Sequence, residues 1–384
     1  MGEPPVAGVG GVLRLALPLF LARVGWAALK ATDSAVLGRV STDALEASSL
    51  SDLWTMSTGV LLTSSVLGTL AAQALGAGNA RLVGAWVQVS LAVQAVLMLP
   101  VAASWLAAGQ GLRALGADDG VVGMAGYYAR SMAAALPGRT ALQHLTAFLS
   151  AQRIVAPAAG ASATAAVLNA ALGIGLVLRA GLGFPAAPWV TVGVENAQLA
   201  ALWAYAVPLK RLHERCWPGW DLRKHVTRER VQTYLAIYWP AALSIASDFW
   251  RMGAVGALAA SIGGLELAVF NTSYRVLWIC LIFTGATAGA TGITLASALG
   301  AGDVHAARRA ARAGTLVVGV ALLTLCAAIL VFARPIARIF SEDEEVLELF
   351  HESRKALALA TFFMNLTVFL ETMPNAFGRT RNVL

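Results

Sequence analysis

Five stretches of this chain contain no Asp, Glu, Lys or Arg at all: residues 53–80, 82–112, 154–178, 276–302 and 313–333. An apolar helix crosses a bilayer in about 20 residues, and in hydrocarbon only a helix or a closed barrel can satisfy its own backbone. Shorter uncharged windows surround single ionisable residues at 12–38, 121–149, 186–209, 231–262 and 356–377. Ten helical spans are the simplest count. The composition agrees: 58% of residues are hydrophobic and 13% charged, against roughly 45–50% and about 25% in soluble domains.

The net charge of +7 does not imply nucleic acid, because the basic residues sit in short connections between spans. With the N-terminus on the cytoplasmic side, the even-numbered connections carry fourteen Lys and Arg and the odd-numbered ones seven, which is the expected inward bias. Half of the fourteen lie in residues 209–230, a Trp-bearing segment expected to join two bundles and to rest on the inner leaflet. Cys216, Cys280 and Cys326 are far apart and odd in number, so neither a disulfide framework nor a metal site follows. Residues 1–11 lack the charged start of a cleavable signal. No nucleophile, base or metal cluster converges in sequence, which argues against a membrane-embedded enzyme. No Gly-rich loop carries the lysine of a nucleotide site, so energy for any transport has to come from a gradient.

A heptapeptide occurs twice, Gln-Ala-Leu-Gly-Ala-Gly-Asn at 73–79 and Ser-Ala-Leu-Gly-Ala-Gly-Asp at 297–303, 224 residues apart. Each copy ends an apolar run and is followed by arginine. Trp54 pairs with Trp278 at the same offset, Pro18 with Pro240 at 222, and Arg113 with Arg338 at 225. These landmarks imply an internal duplication: residues 1–208 as one six-helix bundle, 209–230 as the basic linker, and 231–384 as a second bundle of which four spans are present. A full copy of the first half would need two more helices, so the chain is expected to be a fragment or a shortened form.

Ionisable groups inside spans are costly and mark function. Asp33 in the first span and Asp248 in the seventh are the candidates for a coupling proton or ion, since a carboxylate in a partly dry cavity can bind either a cation or a proton. The bland alternative is neutralisation by a neighbour one turn away, Lys30 for Asp33 and Arg251 for Asp248. Asn169, Gln143, Glu195, Asn271 and Glu371 are candidates for a substrate cavity, weighed against simple helix bridging. Trp250 and Tyr274 could offer aromatic faces to a cationic cargo, or could merely pack.

Several short patterns together resemble the multidrug and toxic compound extrusion (MATE) transporters. They are D-x-x-V-L-G-R at 33–39, the heptapeptide at 73–79, F-L-x-A-Q at 148–152 with I-V-x-P after it, P-x7-D-F-W at 240–250, and L-E-x-x-V at 265–269. The resemblance implies an all-α membrane fold, a V of two six-helix bundles around a central cavity. It implies export of organic cations or amphiphilic metabolites in exchange for H+ or Na+, as a monomer in a plasma, inner or organelle membrane, with no cofactor beyond the coupling ion, no bound metal and no nucleic-acid partner. By it, Asp33 and Asp248 fall on the family's carboxylate positions, although Asp248 stands where Glu is usual and Asn365 falls near a usual acid. The alternatives are an exporter of organic acids or lipid-linked precursors on the same fold, for which Arg23, Lys30, Arg130, Arg139, Arg251 and Arg275 would supply cations, and a truncated non-transporting membrane protein.

Overall fold

The computed structural model describes residues 8–62, 66–116 and 118–378. The first seven residues and the basic tail beyond Gly378 lie outside the described residues. The helices of the first half are α1 (Val9–Gly38), α2 (Thr42–Gly59), α3 (Val66–Gly76), α4 (Ala80–Leu106), α5 (Ala108–Ala114), α6 (Asp119–Ala133), α7 (Leu136–Ala151), α8 (Ala156–Leu172) and α9 (Ala187–Ala204). The short α10 (Leu222–His225) lies in the linker. The second half contains α11 (Arg228–Ile262), α12 (Gly264–Gly300), α13 (Val304–Val331), α14 (Ala333–Arg338), α15 (Glu344–Leu370) and α16 (Thr372–Ala376).

Seven helical stretches among the described residues are long and apolar enough to cross a membrane: Val9–Gly38, Thr42–Gly76, Ala80–Leu106, Ala156–Arg179, Gly264–Gly300, Val304–Val331 and Glu344–Ala376. Three of the ten expected segments differ for visible reasons. The fourth is broken between α6 and α7 just ahead of Pro137, which has no backbone N–H to donate. The sixth runs from α9 into a π-helical turn at Tyr205–Leu209 that contains Pro208. The seventh, α11, opens on Arg228, Glu229 and Arg230 and holds Asp248 and Arg251 farther along.

Each heptapeptide does two jobs. It closes one helix with a left-handed glycine, Gly78 at φ 78° and Gly302 at φ 73°. The bonds Asn79 N to Ala74 O and Asp303 N to Ala298 O, both 3.0 Å, span that glycine and satisfy carbonyls the ending helix would leave bare. The next residue then starts a new helix. Asn79 Oδ1 accepts from Leu82 N at 3.2 Å, and Asp303 Oδ1 from Ala306 N at 2.8 Å. The Asn-to-Asp exchange between copies preserves this cap, because both side chains present an acceptor oxygen.

The two copies also touch each other. A side-chain carbon on Gly76 would collide with the Ser297 carbonyl, and one on Gly300 would collide with the Gln73 carbonyl. Gly300 and Ser297 are the equivalents of Gly76 and Gln73 at the 224-residue offset, so the contact is reciprocal and lies on a pseudo-two-fold axis between α3 and α12. Small residues allow this backbone approach. Around the axis the halves exchange contacts. Val12, Leu15 and Ala16 of α1 cluster with Ala290 of α12 and Ala313 of α13. In the mirrored arrangement, Tyr238 of α11 donates to the Leu61 carbonyl, and Trp250 Nε1 to the Ser57 carbonyl at 3.3 Å.

The linker is tied to the first half. Gly84 N donates to Cys216 O at 3.2 Å. Gln88 holds both Gly219 O (2.8 Å) and Asp221 N (3.2 Å). The linker and both heptapeptide turns therefore share one face of the molecule, called the linker side below.

The α3–α12 contact leaves no room for side chains at its centre. Gly76→Leu and Gly300→Leu should each lower stability in detergent by about 1–3 kcal/mol, the scale of overpacking. The double variant should lose less than the sum of the two, since both act on one contact. Unfolding curves for the three variants check this.

Candidate functional site

Asp33 sits in the last third of α1, where the helix lies against α8 and α9. Asn169 of α8 donates its Nδ2 to Asp33 Oδ1 at 2.7 Å, and Thr191 of α9 brings its hydroxyl to 3.1 Å from both carboxylate oxygens. Asn169 and Thr191 are fully buried, and Tyr128 of α6, also buried, adjoins Thr191. The neighbouring lysine is not the partner. Lys30 Nζ turns to Asp52 of α2 at 2.8 Å. The carboxylate is thus held by neutral donors, and the nearest cation is occupied elsewhere. Asn169 Oδ1 has no partner among the described residues, so an acceptor oxygen lies beside the carboxylate.

A second ion pair frames the site. Arg139 of α7 meets Glu195 of α9 through both ends of the guanidinium, Nε to Oε2 at 3.1 Å and Nη2 to Oε1 at 2.8 Å. Its Cζ also lies 5.9 Å from the Trp105 ring centroid. Glu195 is buried at 5% exposure and spent on this pair, which ties α7 to α9 and holds the helix bearing Thr191. A bidentate, largely buried pair of this kind fixes geometry more than it adds stability.

In the second half Asp248 is paired with Arg251 at 2.7 Å, the neighbour one turn on. Glu371, at the end of α15, is hydrogen-bonded to Ser244 and close enough to Asp248 and Arg251 to feel both charges. Two acids and one arginine therefore share this place. On the same two helices, α11 and α12, aromatic rings form a run: Phe249 against Trp278 at 6.0 Å, Trp278 against Tyr274 at 6.3 Å, and Tyr274 stacked on Phe270 at 5.9 Å. Trp250 is half exposed. Gln143 and Asn271 are exposed and join neither cluster. Asn365 is wholly buried, donates to Thr361 O at 2.9 Å, and has no partner for its Oδ1 among the described residues.

The structure brings together Asp33 with Asn169, and Asp248 with Glu371. It adds Thr191, Asp52 and Ser244, which sequence reading missed because Ser, Thr and a lone Asp at the edge of an apolar window carry no pattern of their own. It also shows a buried His144 beside the Gln143 that was singled out. An ionisable residue in an apolar window was signal enough to find it.

Long apolar helices that carry ionisable side chains define a multi-pass membrane protein. A family model described as MatE matches residues 18–174 and 240–384, and the chain belongs to that family of transporters, an integral membrane protein and not an enzyme. Mouse multidrug and toxin extrusion protein 2 is 26% identical over 345 residues, covering 88% of this chain and 59% of the mouse protein. The chain thus spans about three fifths of that relative's length. Protein DETOXIFICATION 16 of Arabidopsis thaliana is 26% identical over 353 residues, 89% of this chain and 71% of its own. A probable multidrug resistance protein NorM of Bradyrhizobium diazoefficiens is 27% identical over 374 residues, 92% and 77%. The fold matches that of a eukaryotic MATE transporter, AtDTX14, with a TM-score of 0.87 at 21% identity, covering 97% of this chain and 83% of that one. It also matches a Pyrococcus furiosus transporter of the MOP superfamily, described by a binding pocket of reversed polarity, with a TM-score of 0.85 at 20% identity, covering 98% and 84%.

Asp52 takes the direct ion pair of Lys30, so Asp33 is hydrogen-bonded to neutral groups although Lys30 remains near it. Asp52→Asn should release the ammonium toward a carboxylate one turn away and hold that carboxylate in its charged form. On the coupled-transport reading proposed below, transport should then fall by about tenfold, the scale of one neighbouring opposite charge, and the added Lys30→Ala change should restore it. Flux in proteoliposomes for the single and double variants checks the pair.

Proposed function

We propose that the chain is a cation-coupled antiporter that exports organic cations or amphiphilic metabolites, with Asp33 as the principal coupling group. The observation that supports this most is the carboxylate bonded, among the described residues, to Asn169 and Thr191 while Lys30 is held by Asp52. A permanently salt-bridged acid has no reason to take up and release a proton, whereas a partly buried acid with neutral donors changes state readily when an ion or a cationic cargo approaches. When protonated, Asp33 can donate to the amide oxygen of Asn169, which needs only a half-turn of that amide. Sodium would instead use the oxygens of Asp33, Thr191 and Asn169, the hard donors it prefers.

In the second half, Asp248 is the less available acid because Arg251 holds it, and Glu371 is the group left over. We read this cluster and its rings as the cargo-facing side, with Trp250, Tyr274 and Trp278 as faces for a flat cation. All ten helical segments are read as spans, the two halves rocking about the seam to expose the cavity alternately. The membrane that holds it would be a plasma, inner or organelle membrane.

One observation favours the second reading, an anionic cargo. Arg23 of α1 lies against Gly285 of α12, with a carbon on that glycine 2.8 Å from its Nη1, and it makes no ion pair among the described residues. A guanidinium without a carboxylate beside the inter-half contact would suit an organic acid.

Inverted vesicles loaded with a fluorescent cation, with a pH gradient and then a sodium gradient imposed, separate these readings. Uptake driven by one gradient and lost in Asp33→Asn is the expected result. Uptake indifferent to both gradients would remove coupled antiport. Stimulation by a dicarboxylate that disappears in Arg23→Ala would move the assignment to the acid exporter.

A further inference from the structure

The joint between α5 and α6 lies on the face opposite the linker. From its cap at Asn79 on the linker side, α4 runs from Ala80 to Leu106, about 40 Å, before α5 and α6 follow. The backbones of α5 and α6 touch: a carbon placed on Gly126 would lie 2.9 Å from Gly109 Cα. Gly109, Gly123 and Gly126 floor a cavity of about 170 Å³, and Gln110, Arg113 and Arg130 stand around it. Arg113 pairs with Asp119 at 2.8 Å. Arg130 makes no ion pair among the described residues, and its Nε donates to Gly126 O at 3.1 Å, one turn back toward the same face. Arg130 lies eleven residues into α6, about 16 Å along it, which is deeper than a headgroup layer of about 5–8 Å. The bond to Gly126 draws the guanidinium up toward that layer, as long cationic side chains do at membrane depth.

The duplication provides an internal control. At an offset of 225 residues the start of α5 corresponds to the start of α14, and the start of α6 to the start of α15. Arg338 and Glu344 repeat the Arg113–Asp119 pair, at 3.1 Å. Gly109 and Gly123 correspond to Arg334 and Glu348, which are paired with each other across the α14–α15 joint. Gly126 corresponds to His351, and Arg130 to Lys355, which follows Glu348 and Glu352 on α15. The second copy fills its joint with side chains and brings carboxylates to it. The first copy has glycine at each of these places and a spare guanidinium beside them. An uncompensated charge at this depth is costly. What the groove lacks is an anion where the second copy has Glu348.

We propose that this groove holds the phosphate of a phospholipid headgroup, taken from the leaflet opposite the linker, on Arg130, Arg113 and Gln110. Guanidinium groups offer paired N–H donors to phosphate oxygens, and the Gln110 amide adds another donor. Asp119 offsets one of the two arginines, so the site carries the single positive charge that one phosphodiester balances. The glycines let the headgroup come close to both helix backbones. A lipid fits better than a dissolved anion because Val96, Leu99 and Leu106 are exposed on the part of α4 that leads up to the groove. Acyl chains can lie along that apolar strip while the phosphate sits at its end. The bound lipid neutralises Arg130 and braces α5 against α6, the task that Arg334 and Glu348 perform in the second half. The site needs only the membrane fold and stands apart from the chemistry at Asp33.

Native mass spectrometry of the detergent-purified chain, titrated with phosphatidylglycerol, reads the affinity of the tightest lipid. Arg130→Gln should weaken it by at least about tenfold, the scale of one hydrogen bond to a charged group. Gly123→Glu places the second copy's carboxylate where a side-chain carbon meets nothing within 4 Å, so it should fold normally and weaken the lipid at least as much. Gly123→Ala should keep the lipid, and so should Lys355→Gln in the other half. Unfolding curves without lipid check that the variants are folded. Diacylglycerol with the same chains should not take the site, and millimolar inorganic phosphate should not displace the lipid. Wild-type affinity in folded Arg130→Gln or Gly123→Glu would overturn the site. Displacement by inorganic phosphate would make it a site for a dissolved anion, and equal binding of diacylglycerol would make it an acyl groove; either result overturns the phospholipid assignment.

Discussion

The backbone contact between α3 and α12 is the constraint on which the rest of the molecule depends. Glycine at 76 and at 300 lets each helix press on the carbonyls of the other, and the equivalence of the two contacts makes the axis between the halves. With that axis fixed, the first helix of each half has only one place to go. It lies across the neighbouring half, α1 on α12 and α13, α11 on the α2 end and α4. The linker then needs no freedom, and it is bonded to α4 along its length.

The charges are arranged by subtraction. Two ion pairs of the first half join distant partners, Lys30 with Asp52 and Arg139 with Glu195. Asp33 between them is held instead by Asn169 and Thr191. In the second half the local pair Asp248–Arg251 forms, and Glu371 lies beside it, bonded to Ser244. A membrane interior tolerates a group without a counter-charge only where it changes state or meets a charged ligand, so the leftover group is more informative than the pairs.

Much of this was readable from the chain. The uncharged windows located nearly every long helix, and the repeated heptapeptide located both turns, because glycine in a left-handed turn and an Asn or Asp cap leave a literal signature. The break before α7 was not anticipated, since 121–149 reads as one window although it contains Pro137. What the sequence left open was partnership. Lys30 is three residues from Asp33 and twenty-two from Asp52, and proximity in sequence favoured the wrong acid. Arg251 with Asp248 followed the local rule. The difference lies in tertiary packing, which places α2 beside α1 in the first half. Thr191 and Ser244 were invisible for a related reason: a hydroxyl in an apolar helix bonds its own backbone as readily as a neighbour, and no spacing distinguishes the two.

The exchange of first helices has a consequence in time. Chains are made from the N-terminus at roughly 5–20 residues per second, and Gly285, against which Arg23 lies, is some 260 residues downstream of it. For about 13–50 s α1 has no α12 to lie on, and its apolar flank, including Val12 and Leu15, has only lipid or α8 for company. The seam is therefore closed last during synthesis. A defect at Gly76 or Gly300 would appear as a waiting chain, with a complete first half and nothing yet to grip, rather than as a misfolded helix.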